Sequence, residues 1–197
     1  APLDADRLGD RPALHQPCRR SDGTQYRSYT WNEFRDACRE IAAALAGLGV
    51  RKGDVVAIAS ETRAELYLAD FGIMAAGAVS AALYTAYHPA DQVRTLMACG
   101  AKIVFVEDPG MLKRLRGACA GQADWQWVLM TGEEQGVTTL GELRRAGAEA
   151  MARNPDLWPR LRRAVRAEDP AILYLTSGVT AEPKMALVSH RALAANA

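Results

Sequence analysis

Short apolar runs alternate with longer segments of helical periodicity along most of this chain. The runs have the length of strands and contain no charged residue, which is typical of parallel strands buried on both faces. They lie at 55–59, 78–83, 103–106, 127–130 and 171–175. Strands that alternate with helices are joined by right-handed crossovers, so the sheet is expected to be mostly parallel with helices on both faces. The sequence therefore predicts an α/β fold.

The first predicted helix has clear start and stop signals. Thr30 and Glu33 have the spacing of a capping box, and Gly49 is a typical stop signal. Six residues between them recur at helical spacing and are predicted to face the core: Trp31, Phe34, Cys38, Ile41, Leu45 and Leu48.

Three further helices are predicted at about 62–76, 89–98 and 109–119. Ser60 or Thr62 is expected to cap the first of them with its side-chain hydroxyl. The residues expected to face the core from the first two are Leu66, Ala69, Phe71, Ile73, Met74, Val93, Leu96 and Met97.

The composition limits the classes of function. With 197 residues, of which 49% are hydrophobic and 24% charged, the chain has the make-up of a soluble globular domain. A formal net charge of +1 gives no overall attraction to nucleic acid. The four cysteines form no C-x-x-C pair, so neither a zinc site nor a disulfide framework is indicated. Without a signal-peptide pattern, a cytoplasmic protein is expected.

The stretch 176–184, directly after the last apolar run, combines hydroxyl, glycine and lysine residues. Hydroxyl and backbone N–H groups bind phosphate oxygens, and glycine lets the backbone approach a ligand closely. The candidate phosphate-binding residues are Thr176, Ser177, Gly178, Thr180 and Lys184. Ligands of such sheets bind beyond the carboxyl ends of the strands, which suits a phosphate loop at this place. By composition alone, a polar hairpin between two strands is an equal alternative.

The order of these residues argues against the common nucleotide-binding loop of Walker-type ATPases. That loop needs Gly-Lys-Ser/Thr after four spacer residues. Here Lys184 follows Pro183 and precedes Met185. A Walker-type ATPase is therefore not predicted.

The stretch instead resembles the phosphate-binding signature of adenylate-forming enzymes, the superfamily of acyl-CoA synthetases, luciferases and peptide-synthetase adenylation domains. That signature reads Thr-Ser-Gly-Thr-Thr-Gly-x-Pro-Lys-Gly and is often followed by Ser-His or Thr-His. The matching residues are Thr176, Ser177, Gly178, Thr180, Pro183, Lys184, Ser189 and His190. Val179, Ala181 and Met185 depart from it, since a hydroxyl residue is usual at the first position and glycine at the other two.

Five further segments resemble the same superfamily in the same order, so the resemblance covers most of the chain. They are 29–34, 48–54, 55–62, 75–78 and 101–107. Within the superfamily, 61–70 and 82–85 look most like fatty acyl-CoA synthetases of the long-chain type.

The resemblance implies an ATP-dependent, AMP-forming ligase for a carboxylic acid, most simply a fatty acid. Such an enzyme forms an acyl-adenylate and then transfers the acyl group to coenzyme A, using ATP with Mg²⁺. It would use Lys184 as a catalytic residue. ATP would be bound by Thr176, Ser177, Gly178, Thr180 and Lys184, and no residue is assigned to a metal.

Family members continue for several hundred residues past this loop. The resemblance therefore implies an incomplete N-terminal subdomain without the later subdomains and C-terminal lid, inactive alone and prone to self-association through uncovered apolar surface. Two alternatives stay open: a non-catalytic α/β binding module with a degenerate phosphate loop, and an adenylate-forming enzyme for another carboxylic acid.

The chain divides into a lead-in at 1–28, with short edge strands, and the α/β subdomain at 29–197. Within the subdomain, 141–166 is predicted as a basic helical connector, in which seven arginines and three acids give a net charge of +4. A solvated helical face is the ordinary explanation of such a run. Contact with an anionic membrane surface or with the phosphates of coenzyme A is the alternative, and nucleic acid binding fits less well.

Overall fold

A seven-stranded sheet lies at the centre of the computed structural model, which describes residues 8–20, 23–119, 121, 124–176 and 184–195. The strands are β1 (Pro12–Arg20), β2 (Gly23–Thr30), β3 (Val55–Ala59), β4 (Val79–Ala82), β5 (Ile103–Val106), β6 (Gln126–Leu129), β7 (Thr138–Thr139), β8 (Pro170–Thr176) and β9 (Lys184–Ser189). The helices are α1 (Trp31–Gly47), α2 (Ala64–Ala75), α3 (Pro89–Ala98), α4 (Pro109–Cys119), α5 (Leu140–Arg153), α6 (Leu157–Ala164) and α7 (His190–Ala195).

The main sheet has the strand order β7-β6-β5-β3-β4-β8-β9. All neighbouring strands in it are parallel except β8 and β9, which are antiparallel. Strands β1 and β2 form a separate two-stranded antiparallel sheet. The predicted α/β fold with a mostly parallel sheet is confirmed.

Helices cover the sheet on both faces, as the sequence predicts. Along β3 the side chains alternate, so Val56 and Ile58 enter one apolar core and Ala57 and Ala59 the other. The first core contains side chains of α1, α2 and α5, and the second contains side chains of α3 and α4. The result is a three-layer arrangement in which the central strands β3 and β5 are buried on both faces.

Helix α1 begins at the predicted capping box. The Thr30 backbone N–H donates to Glu33 Oε2 at 2.7 Å, and the Glu33 backbone N–H donates to Thr30 Oγ1 at 3.2 Å. Most of the predicted apolar stripe is buried, but Leu48 is 46% exposed, because the helix ends at Gly47. The prediction for Leu48 was therefore wrong.

Two details of the next helices differ from the sequence prediction. Helix α2 starts after Arg63 without a side-chain cap, so neither Ser60 nor Thr62 caps it. Phe71 and Met97, both expected in the core, are 40% and 47% exposed. The rotation of α2 is set at Gly72, where a Cβ would lie 2.6 Å from Ile41 Cγ2 of α1. Because Gly72 faces α1, its neighbour Phe71 lies at the margin of that contact.

The basic segment 141–166 contains helices α5 and α6. Helix α5 begins with a second capping box, in which the Thr139 N–H donates to Glu142 Oε2 at 2.8 Å. The helix then crosses α1 so closely that a Cβ built on Gly147 would lie 1.8 Å from the Glu40 carbonyl oxygen. The two backbones are therefore in direct contact at this crossing.

Asp70 on α2 is a half-buried carboxylate that has no ion pair among the residues the structure describes. Burial raises the pKa of this carboxyl group above its ordinary value. The folded state therefore binds the proton more tightly than the unfolded state does. The stability that this group contributes is present below its unfolded pKa of about 3.9 and is lost as the pH rises through the folded pKa.

Asp70→Asn should accordingly stabilise the protein at neutral pH, by about 1 kcal/mol, the scale of ordinary single substitutions. The gain should shrink as the pH falls and vanish below about pH 4, where the carboxyl group of the parent protein is itself neutral. Urea unfolding at pH 7 and pH 4 measures this. Asp124→Asn, at an exposed position, is the control and should change little; a gain at pH 7 that persists at pH 4 would contradict the electrostatic explanation.

Candidate functional site

The carboxyl ends of β3, β4, β5 and β8 meet at one edge of the sheet, because these strands are parallel. The helix after β3 packs on one face, whereas the helices after β4 and β5 pack on the other. Connections that leave neighbouring strands toward opposite faces open a crevice between them, and ligands of open α/β sheets bind in such crevices. This carboxyl edge is therefore the candidate site.

The predicted phosphate loop lies between the end of β8 and the start of β9, both at this edge. Thr176 is the last residue of β8 and Lys184 the first of β9, and the two are cross-strand partners. Lys184 is exposed. The loop residues Ser177, Gly178 and Thr180, like Val179, Ala181 and Pro183, lie outside the described residues. The structure thus brings Thr176 and Lys184 together at the carboxyl end of β8.

An ordered aromatic loop follows β4, the strand next to β8. Tyr84 is 65% exposed and stacks on Tyr87 with ring centroids 5.3 Å apart and an interplanar angle of 24°. The buried Gln92 holds this loop, since its Nε2 donates to the carbonyl oxygens of Thr85 at 3.3 Å and Tyr87 at 2.8 Å. A fixed, exposed aromatic surface therefore lies one strand away from the phosphate loop.

A cluster of ionic and hydrogen-bonded residues, which we call the edge cluster, joins the loops after β3 and β5. It consists of Ser60, Arg63, Glu65 and Glu107. Glu107 Oε2 accepts from Ser60 Oγ at 3.3 Å and from the Glu61 backbone N–H at 2.8 Å. Glu107 Oε1 accepts from Arg63 Nη1 at 3.3 Å. One carboxylate thus ties the whole β3–α2 loop to the end of β5.

Arg63 is the centre of the edge cluster. Its Nε donates to Glu65 Oε2 at 2.8 Å, and Glu65 Oε1 accepts from the Tyr29 hydroxyl at 3.4 Å. Burial opposes the charged form of Arg63, but the two carboxylates outweigh it and raise the pKa of the guanidinium. The pKa of Tyr29 is also raised, chiefly by burial and then by the charge of Glu65. The Arg63 guanidinium therefore keeps its charge at neutral pH.

The edge cluster was not predicted, although Arg63, Glu65 and Glu107 all lie in segments that carry the family resemblance. One feature of the sequence indicates such a cluster: Glu107 comes directly after a buried strand. A charged side chain at that position needs a partner at the carboxyl edge. The sequence alone does not tell which partner it reaches, because Arg63 is 44 residues away.

Glu107→Ala should lower the free energy of unfolding by about 2 kcal/mol. The substitution removes three accepted hydrogen bonds and leaves Arg63 with one carboxylate, and breaking a partly buried ion pair costs less than the 3–5 kcal/mol of a fully buried one. Urea unfolding measures the change. Glu133→Ala, at an exposed position, is the control and should stay within about 0.5 kcal/mol of the parent protein; equal losses in both variants would contradict the bracing role.

Two further residues of the signature lie at the opposite end of the sheet. Because β9 runs antiparallel to β8, Ser189 pairs with Pro170 at the start of β8, about 20 Å from the phosphate loop. His190 begins α7, its backbone N–H donates to the Asp169 carbonyl at 3.1 Å, and burial lowers the pKa of its imidazole. Ser189 and His190 therefore do not join Lys184 at the carboxyl edge.

Among the described residues there is neither a group of side chains suited to a metal ion nor a helix suited to span a membrane. Within the described ranges no three His, Cys, Asp or Glu side chains are grouped so that they could hold a metal ion. In the same ranges no helix is both long and apolar enough to span a bilayer. None of the four cysteines forms a disulfide, and Cys38 and Cys119 are buried.

The chain is similar to known enzymes over most of its length. The family model described as AMP-binding enzyme matches residues 3–197. The chain is 33% identical to the long-chain-fatty-acid–CoA ligase FadD15 of Mycobacterium bovis over 156 residues, which are 79% of this chain and 25% of that protein. It is 28% identical to 4-coumarate–CoA ligase 3 of rice, Oryza sativa, over 94% of this chain and 30% of that protein.

Solved structures share the fold. The anthranilate CoA ligase AuaEII in complex with anthranoyl-AMP matches 96% of this chain and 34% of that protein, with a TM-score of 0.73 and 22% identity. At this identity the likeness is one of fold. The chain spans about a quarter to a third of the length of these three relatives.

Proposed function

The chain belongs to the AMP-binding enzyme family, and from this we propose that it forms the N-terminal subdomain of an ATP-dependent, AMP-forming carboxylate–CoA ligase. The observation that carries the proposal is the pairing of Thr176 and Lys184 across the mouth of the signature loop, at the carboxyl edge of a parallel sheet. A lysine in this position can reach the phosphates of a nucleotide bound in the crevice.

The proposed reaction begins when a carboxylate oxygen attacks the α-phosphorus of ATP. The bond to the bridging oxygen breaks, and pyrophosphate leaves with the electron pair. Lys184, the hydroxyl groups of Thr176, Ser177 and Thr180, and the backbone at Gly178 would bind the departing phosphates. Donors that are fixed in place before the reaction stabilise this charge best in the transition state.

In the second half-reaction, the thiol of coenzyme A attacks the acyl carbonyl carbon and AMP leaves. Pyrophosphate has already gone, so the loop residues are expected to matter less in this half. Mg²⁺ would accompany the phosphates of ATP, and we assign it to no residue of this chain. We also propose a cytoplasmic location, which four cysteines without a disulfide support.

We propose a long-chain fatty acid as the carboxylic acid substrate. The identity of 33% to a long-chain-fatty-acid–CoA ligase supports this choice over the lower identity of 28% to a 4-coumarate–CoA ligase. An aromatic acid is the second candidate, favoured by the coumarate and anthranilate ligases among the matches.

Pyrophosphate exchange into ATP tests the proposal. The assay compares palmitate, 4-coumarate and anthranilate, using the 197-residue chain and a protein extended by the segments found in its relatives. We expect exchange with palmitate in the extended protein and none in the shorter chain. Exchange with an aromatic acid alone would overturn the substrate, and no exchange with any acid would favour the non-catalytic module.

A further inference from the structure

Helix α6 is amphipathic, with its arginines on the side away from the core. At about 100° per residue, Leu157, Trp158 and Leu161 share one side of the helix, and Arg160, Arg162 and Arg163 occupy the other. Trp158 and Leu161 pack against the apolar core, whereas the three arginines are exposed. Packing of the apolar side therefore fixes the direction in which the basic side faces.

The charges of this helix are not neutralised locally. We call Arg160, Arg162, Arg163 and Arg166 the α6 patch; all four are exposed, and 157–166 contains no acidic residue. Within the described part of the chain, none of the four guanidinium groups has a carboxylate within 4.0 Å, although the Arg166 backbone N–H donates to Asp169 Oδ2 at 2.6 Å. The acids that follow are already engaged, since Asp169 pairs with Lys52 at 2.7 Å and Glu168 pairs with Arg191.

The α6 patch lies at the amino edge of the sheet, away from the phosphate loop. Lys52, in the turn before β3, donates to the Ala164 carbonyl at 2.9 Å and so holds the end of α6 beside the start of that strand. Strand β8 separates this edge from the loop by about 20 Å. The patch is therefore not part of the candidate phosphate site.

We propose that the α6 patch docks this protein on membrane surfaces rich in anionic lipids. Guanidinium groups bind lipid phosphates in pairs of hydrogen bonds, and each basic residue near an anionic surface strengthens binding about fivefold. Because the apolar side of α6 is used inside the protein, the attachment is electrostatic and does not insert into the bilayer. The carboxyl edge would then face away from the membrane. This docking is independent of the proposed enzymatic function.

Vesicle sedimentation tests the docking. The whole chain is mixed with vesicles of phosphatidylcholine alone or with about 30% phosphatidylglycerol, at low and at high salt. We expect binding to the anionic vesicles at low salt, none to the neutral vesicles, and release at about 0.5 M salt, where charge interactions are screened. Binding to both kinds of vesicle, or binding that resists salt, would overturn an electrostatic attachment.

A charge-matched pair of variants locates the binding surface. R160E/R162E/R163E should weaken binding to anionic vesicles at least tenfold. K113E/R114E/R116E makes the same change in net charge on exposed residues of α4, which packs on the other face of the sheet. Its binding to anionic vesicles should fall only by the amount that its lower net charge explains, and so should fall less than that of the α6 variant. An equal loss in both variants would overturn the assignment to α6.

Two controls keep the test decisive. Should the charge-reversed α6 variant fold poorly by circular dichroism, R160Q/R162Q/R163Q neutralises the same residues and should still weaken vesicle binding clearly. Transfer RNA is the competing polyanion. Tight binding of tRNA through the α6 patch, together with no binding to anionic vesicles, would overturn a membrane as the partner.

Discussion

Gly147→Ala should destabilise the protein by about 3 kcal/mol, the upper end of the usual cost of overpacking. The new Cβ would lie 1.8 Å from the carbonyl oxygen and 2.6 Å from the carbonyl carbon of Glu40. Both are backbone atoms of α1, so no side-chain rotation relieves the clash. Helices α1 and α5 would have to move apart and open the core that Leu143 helps to fill.

Gly117→Ala is the matched control, because Gly117 is also a helical glycine but a Cβ there meets no atom within 4 Å. Alanine stabilises an exposed helical position by about 0.8 kcal/mol relative to glycine. Urea unfolding should therefore shift the two variants in opposite directions. If Gly147→Ala is as stable as the parent protein, the α1–α5 contact is looser than its geometry indicates.

Lys184→Ala should slow pyrophosphate exchange about a hundredfold in the extended protein, a loss typical of removing one charge-stabilising donor from an active site. The transfer of an acyl group from a supplied acyl-adenylate to coenzyme A should change by less than about threefold, because no pyrophosphate is present in that step. The decisive measurement is the ratio of the rate loss in pyrophosphate exchange to the rate loss in acyl transfer.

Lys113→Ala is the control for Lys184, since Lys113 is exposed on α4 and lies outside the β8–β9 hairpin. Both of its half-reactions should match the parent enzyme. Equal slowing of both half-reactions in Lys184→Ala would show that this lysine maintains the shape of the site and does not act on the leaving group.

Elements with strong local signals were predicted well from the sequence. The bounds of β3, α3, β5 and α4 agree with their predicted ranges, because each combines an uninterrupted apolar run or a regular stripe with a start or stop residue. The capping box of α1 was likewise predicted from two residues three positions apart. Such signals depend only on neighbouring residues, so one sequence is enough to find them.

Other features depend on contacts between distant residues and were missed. Strand β7 has two residues, which is too short to have a periodic pattern. The start of α2 is held by distant residues, since the Ala64 N–H donates to Gln16 Oε1 and the Glu61 N–H of the preceding loop donates to Glu107 Oε2. The exposure of Phe71 follows from the contact of Gly72 with Ile41 of another helix. None of these partners is adjacent in the chain.

In the candidate site, too, features formed by consecutive residues are visible in the sequence, whereas features formed by distant residues are not. Thr176 and Lys184 could be named from the sequence, because strand, loop and lysine are consecutive; the structure pairs them across β8 and β9, and their role in phosphate binding stays a prediction. The edge cluster was missed because its four members come from two segments, 60–65 and the residue after β5, that lie more than 40 residues apart in the chain. The cluster forms because β3 and β5 pair in parallel, which places Ala59 beside Val106 and brings the residues that follow them together.

The pairing of β8 with β4 also has a consequence for the order in which the chain folds. Ser80 and Ile172 are partners although about ninety residues separate them, whereas β3 pairs with strands that follow it within fifty residues. Contacts between distant residues form slowly, because a long loop must close first. The β8–β9 hairpin should therefore join the sheet last, after β3 to β6 have formed a template. The two strands that flank the proposed phosphate loop would then come together with the sheet only at the final step of folding.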